Sequence, residues 1–371
     1  MDRRIFLQLA GAAPIAAQEP KQPVYKVVTP FRPAKDRGMP GPYPGRVVRV
    51  HSARSVDAQS GEVNSPAVRQ MLASAMQSLT GESRVRDAWV RFFSPQDVVG
   101  IKVNCSGAPQ IRSSAELVGA IAESLTAIDI PASQIYVYER FEDQVRTVNY
   151  PAALPAGVNV VTAERAYESG TIRGYDPRTY VETSFFGEDD TRSNLFRLAA
   201  ERFTKIINVP NAKEHQASGV TGCLKNIAYG SFSNVARSHE SEKTFTYSFI
   251  GTLAAVEPLP SRVVLNVMDA LTSIWHGGPI PHTTRFRFYP KQLMVGTDPV
   301  AIDHKLIELI EAKRKAEGAV SIFDRSRSHL GDPGDPNFNR FIREPGHVEY
   351  ASTLGLGVYD NEKIRVQEIE L

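Results

Sequence analysis

The sequence predicts an α/β protein built on a mainly parallel sheet flanked by helices, arranged as one body or as two lobes with a cleft between them. Two observations carry this. Short β-branched runs alternate with runs of helical period every ~25–35 residues, the pattern of βαβ units. Three of the strand-like runs are apolar until they finish on an amide or a carboxylate: VGIKVN at 99–104, IINVPN at 206–211 and VVLNVMD at 263–269. In a parallel sheet the carboxyl ends of the strands share one edge. Lys102, Asn104, Asn211 and Asp269 are therefore expected to gather there.

The elements follow in order. RVVRVH at 46–51 is the first strand expected in the domain. Ser65 and Pro66 supply a helix cap and a first-turn proline, and Val68, Met71, Leu72, Ala75 and Leu79 recur at helical spacing. A strand at 97–104 precedes a helix at 114–128, whose Leu117, Val118, Ile121, Leu125 and Ile128 share a side. QIYVY at 134–138 and VNVVT at 158–162 are strands. Residues 170–190 lack clear periodicity and are expected to form an insertion or hairpin excursion. Residues 194–203 are expected to be helical and to feed a central strand at 205–209. A helix at 246–256, a strand at 262–268 and a short strand at 293–296 follow. Asp298 and Pro299 then open a helix to about residue 316. The segment 329–339 holds two Asp-Pro steps and reads as a turn-rich surface loop, since it lacks the Glu that closes a calcium loop. A helix at 347–356 and a strand at 363–369 close the chain.

Composition narrows the function. A net charge of +2 over 371 residues gives no electrostatic case for nucleic acid or an anionic membrane as partner. No apolar run approaches the ~18–20 residues of a membrane span, so none is expected in the mature chain. Arg3 and Arg4, followed by Ile5, Phe6 and Leu7 and an Ala-rich stretch, have the form of an export signal of the twin-arginine type. The expectation is a signal over 1–17 cleaved near Ala17, delivery by the export machinery to the periplasm, a Pro-rich tether over 18–45 and one domain over 46–371. Cys105 and Cys223 are the only cysteines, too few for a four-thiolate iron–sulfur or zinc site, so no iron–sulfur cluster is expected. They either pair in an oxidising compartment or stand as two separate buried thiols.

The stretch 208–231, NVPNAKEHQASGVTGCLKNIAYGS, is where function is expected to concentrate. An apolar run ends at Pro210, which cannot donate to a ladder. A polar loop follows with Asn211, Lys213, His215, Thr221, Lys225 and Asn226, interleaved with Gly219 and Gly222. Helical spacing begins near Thr221 and places Leu224, Ile227 and Ala228 on one face. Lys213, His215 and Lys225 are answered locally only by Glu214. Two partly shielded ammonium groups ~4 Å apart would repel by about 4 kcal/mol at an effective dielectric near 20. An anionic ligand, or carboxylates from elsewhere in the fold, would relieve that, and amides at the helix start would add to the attraction. His276 sits in a second Gly/Pro loop behind Trp275. Asp298 either caps its helix or meets a ligand, and Asp303 lies within that helix's first turns.

Four blocks, VGIKVN at 99–104, NVPNAKEH at 208–215, GVTGCLKN at 219–226 and DPVAID at 298–303, resemble the signature blocks of the domain-of-unknown-function 362 family, in family order. The resemblance spans roughly residues 95–310 and implies the family's α/β fold, with no settled activity attached. Many exported members carry twin-arginine signals. Other members append cysteine-rich ferredoxin modules, which this chain lacks. Cys223 stands where similar sequences often have Ser, which argues against an essential thiol. A more distant likeness to the nickel-dependent lactate racemase group rests on general Lys/His/Gly texture and implies a cleft for a metal cofactor and a 2-hydroxy acid.

Three functions remain open from the residues. The first is an enzyme acting on an anionic small molecule or through a metal-containing cofactor. Lys213 and Lys225 would bind the anion, His215 would be general base or metal ligand, and Asp269 would orient a partner or complete the shell of a transition metal. Lys102, Asn104, Asn211, Thr221, Gly222, Asn226, His276, Asp298 and Asp303 would complete the binding site. The second is a non-catalytic periplasmic protein that holds the metal or anion with the same residues. The third is a structural scaffold. The chain has no Walker-type loop, no GxGxxG after the first strand and no GxSxG elbow, which disfavours nucleotide binding and serine-hydrolase chemistry of those types.

Overall fold

A computed structural model describes residues 23–164, 174–239, 243–325 and 334–371. The expected export signal over 1–17, the first residues of the expected tether and parts of the 170–190 excursion and of the 329–339 loop therefore lie outside the described residues.

Eleven strands form one large sheet. Its main path runs Arg365–Glu370, Arg46–His51, Gln292–Gly296, Val263–Ile274, Lys205–Asn208, Val99–Lys102, Ile135–Phe141, Asn159–Glu164. The last five of these are mutually parallel. Gln292–Gly296 runs antiparallel to both neighbours, because it returns from Val263–Ile274 without a crossover helix. The central strands bury both faces, which is why they read as near-continuous apolar runs, whereas the edge strand Arg365–Glu370 is largely exposed.

Alternation along each strand feeds two cores. Ile207, Leu265, Leu293 and Val295 pack with Met71, Leu72 and Ile121 of the helices Ser65–Thr80 and Ala115–Thr126. Ile206, Val263 and Met294 face the other way, toward Leu224, Phe249 and Ile302 of Gly222–Tyr229, Thr246–Ala254 and Pro299–Ala316. The cap of Ser65–Thr80 is Asn64, whose side chain accepts from the Ala67 amide, one residue earlier than the sequence suggests.

Three departures from expectation have physical causes. Residues 194–203 are not one helix: Arg192–Phe196 is a strand and only Arg197–Glu201 is helical. The Phe196 amide donates to Ser231 and the Asn194 amide to the Ser233 hydroxyl, so tertiary pairing overrides local propensity. That strand joins Tyr175–Glu182 and Lys26–Val28 in a separate three-stranded antiparallel sheet. From residue 23 on, the Pro-rich stretch is thereby laid on the body: Val27 pairs with Val181, Tyr25 stacks on Phe249 and Met39 is fully buried.

The third departure concerns the stretch after Pro210. It is a β-hairpin, Asn211–His215 paired with Gly219–Val220, rather than an irregular loop. Proline removes only one ladder donor. Its own carbonyl accepts from the Asp269 amide, and the chain then resumes parallel pairing with the long Val263–Ile274 strand.

Candidate functional site

The polar strand ends meet in register. Lys102 pairs with Asn208, and Asn208 with Asn266, across three adjacent parallel strands. All three side chains are fully buried, so their polar atoms must find partners within the protein. Asn266 Nδ2 donates to the Thr297 carbonyl, and Asn208 Nδ2 donates to Asn266 Oδ1 and the Cys223 carbonyl. Asn226 Nδ2 donates to Asn208 Oδ1, at 2.8 Å. Asn226 Oδ1 accepts in turn from Asn104 Nδ2 at 3.1 Å and from Lys102 Nζ at 3.4 Å. This amide chain ties the helix Gly222–Tyr229 to the sheet edge. Lys102 is neutralised by Glu139, Nζ lying 2.6 Å from Oε2, with the Val103 carbonyl as a further acceptor.

Period-two alternation sorts the hairpin. Lys213 and His215 share one side, and Glu214 faces the other. There Glu214 accepts from the Gly278 amide and lies 3.6 Å from the Arg343 guanidinium. The carboxylate nearest in sequence to the two lysines is therefore engaged elsewhere. Lys213 Nζ donates to Asn104 Oδ1 at 2.7 Å and to Ser106 Oγ at 2.8 Å. Burial lowers its pKa to about 7, against the pull of Glu139.

A cavity of about 580 Å³ opens beside these groups. Five of the anticipated residues line it: Asn104, His215, Thr221, Lys225 and Asn226. Lys102 and Lys213 lie one hydrogen bond behind its wall, through Glu139 and Asn104. Thr221, Lys225 and Tyr229 are spaced four apart, so they present one helical face to the cavity while Leu224, Ile227 and Ala228 enter the core. Lys225 Nζ is buried without a hydrogen-bond partner among the described residues, 3.7 Å from the centroid of the Tyr229 ring. Burial and, next, Lys213 hold its pKa well below that of an ordinary lysine.

His215 takes a role other than base or metal ligand. Its Nδ1 accepts from the amides of Ala217 at 3.1 Å and Ser218 at 3.4 Å. The neutral ring therefore carries its proton on Nε2, as a donor. Base catalysis or metal ligation through Nε2 would move that proton to Nδ1, against two N–H groups. Burial, then Lys225, hold the imidazole neutral. His239, its ring centroid 5.7 Å from that of His215, and His347 are likewise lowered, each to about 3.

The remaining anticipated residues do not line this cavity. Asp269 accepts from the amide and hydroxyl of Ser114, both at 2.7 Å, and from the Leu271 amide, so it anchors the start of the Ala115–Thr126 helix. Asn211 donates to the carbonyls of Asp269 and Thr272 and holds the hairpin to its neighbouring strand. His276 packs edge-on against Phe286, beside Arg314. Asp298 caps Pro299–Ala316 through the Ala301 amide and also accepts from Gly45 and Val358. Asp303 accepts from the amides of Cys223 and Leu224. The helix-start amides expected to meet a ligand are thus taken by an internal carboxylate. Gly222, at φ 60°, permits this, because a Cβ there would land on that carboxylate.

The donor set expected for a transition metal does not fit one. Asp269 is saturated by Ser114 and Leu271 away from His215, and no group of three His, Cys, Asp or Glu side chains suited to a metal occurs among the described residues. Cys105 and Cys223 are separate, buried, free thiols. Sequence reading missed Glu139, His239 and His347. Glu139 was findable as the acidic end of the YVYE run, whereas the histidines arrive from segments with no local signal.

The fold and site define an α/β protein with a mainly parallel sheet and a cavity at its strand ends walled by buried amine, imidazole and amide groups. More narrowly, the chain belongs to the family described as Domain of unknown function (DUF362), which matches residues 99–308, more than half its length. That span holds every candidate residue from Lys102 to Asp303. No curated protein matches the chain significantly. No helix among the described residues is long and apolar enough to cross a membrane.

Proposed function

We propose that this protein is exported and binds a small anion, a carboxylate in the simplest case, in the cavity beside Lys225, and that it is an enzyme acting on that molecule. One observation carries the reading: the Lys225 amine is buried at a cavity wall with no hydrogen-bond partner among the described residues. An unpaired buried amine costs stability, so a fold that retains one implies a partner that arrives from solution. The Thr221 hydroxyl, also buried and unpaired, and the Nε2–H of His215 stand beside it as neutral donors. Lys213 behind the wall adds positive field without reaching the ligand. Export rests on Arg3, Arg4 and the Ala-rich segment after them, and N-terminal sequencing of the periplasmic form tests it.

The likeness to the lactate racemase group makes lactate a first probe. Titration calorimetry with lactate should give saturable binding that Lys225→Met weakens at least ~10-fold, the loss of about 1.4 kcal/mol or more expected for a charged hydrogen bond. Unaltered affinity in that variant would remove the reading. Binding without turnover of any 2-hydroxy acid would favour a non-catalytic anion-binding protein.

A further inference from the structure

Lys225 has the surroundings of a nucleophile as well as of an anion ligand. Only 6% of the residue is exposed, and Nζ has no acceptor among the described residues. The titratable groups set around it come from four elements: Lys213 and His215 of the hairpin, Tyr229 of its own helix, His239 of the next turn and His347 near the C-terminus. All are cationic or neutral, so each resists or fails to support a second positive charge. The Tyr229 ring face favours an ammonium, but more weakly than full burial opposes it. Burial and the neighbouring Lys213 therefore favour the free-base amine, with its available lone pair, over the ammonium. It faces a cavity large enough for a small organic acid.

We propose that Lys225 forms an imine with the carbonyl of a 2-oxo carboxylate held in this cavity. The proposal rests on the anion-binding reading above and names its substrate class. The Nζ lone pair forms the C–N bond and the carbonyl π pair moves to oxygen. Both amine hydrogens then leave with that oxygen as water, giving C=N. His215 Nε2–H and the Thr221 hydroxyl are the neutral donors placed to stabilise the oxygen as it gains charge. Protonation of the imine restores a cation beside the carboxylate.

The test uses the full mature chain, pyruvate and cyanoborohydride at neutral pH, followed by peptide mapping. The expected result is a single reduced pyruvate adduct on Lys225, formed at least ~10-fold faster than on any surface lysine and suppressed by lactate, which binds but has no keto group. Lys225→Arg, which keeps hydrogen-bond donors but carries no nucleophilic amine, should lose that adduct. Binding of pyruvate by calorimetry without an adduct on Lys225 would overturn the imine and leave the anion reading intact. Adducts spread evenly over surface lysines would also overturn it. Absence of binding by either acid would overturn both.

Discussion

Asp303 seats its carboxylate on the amide of Cys223, Oδ1 lying 2.5 Å from that nitrogen, at the start of the helix that carries Lys225. The helix start is thereby neutralised from inside the protein, and the charge of the neighbouring cavity is set by its side chains, with Glu139, Glu164 and Asp190 on its lining as well as Arg140, Arg192 and Lys225. The same contact fixes where Lys225 points, because it anchors the first turn of its helix to the longer helix Pro299–Ala316.

Burial raises the Asp303 carboxyl to about 7, against the pull of the Leu224 and Cys223 amides. Its folded pKa lies above the ordinary value near ~3.9, so the native state holds an extra proton between the two. The stability it contributes is complete at low pH and is lost as pH rises through about 7. Asp303→Asn removes this titration. The stability advantage of the wild type over the variant should therefore shrink from about pH 5 to about pH 7.5, by at most ~1.4 kcal/mol per pH unit. Urea midpoints across that range check it, and an advantage that grows with pH contradicts it.

Gly222→Ala should destabilise the fold by roughly 2–3 kcal/mol. About 1–2 of that comes from a left-handed backbone and about 1 from displacing the Asp303 cap. Chemical denaturation measures it. Gly81→Ala, also at positive φ but with open space around the added methyl, should show the backbone part alone.

Glu139→Gln leaves the Lys102 ammonium buried without its counter-charge, and should cost about 3–5 kcal/mol. Replacing both partners, Lys102→Met with Glu139→Leu, should cost less than the sum of the single changes, since no charge is then stranded. A double-mutant cycle that sums additively would show that the pair does not act as a unit.

Anion binding should take up protons. Burial lowers Lys213 to about 7, so it is partly neutral in the free protein near pH 7, and burial shifts Lys225 in the same direction. A bound anion favours their charged forms, which raises their pKa values. Affinity should thus rise as pH falls from about 8 to about 6, with net proton uptake. Calorimetry in buffers of different ionisation enthalpy reads the proton count directly, and proton release on binding would contradict the assignment.

Sequence alone determined most of the order of strands and helices, because apolar period and β-branching are local properties; it failed at Arg192–Phe196 and Asn211–His215, where tertiary pairing decides. It also led to the expectation that Lys102, Asn104, Asn211 and Asp269 share an edge, since strands in a parallel sheet end together; Lys102 and Asn104 meet Asn226 there, whereas Asn211 and Asp269 do not line the cavity. The tertiary structure decided which charges are answered. Glu139 neutralises Lys102, Glu214 turns away to Arg343, Asp303 takes the helix amides, and Asp269 serves a different helix. Such pairings depend on the face and register of residues tens to more than a hundred positions apart, and the hydrophobic pattern of any single segment contains no term for them. Lys225 Nζ is left without a hydrogen-bond partner among the described residues, while Glu139, Glu214, Asp269 and Asp303 are engaged in the frame around it.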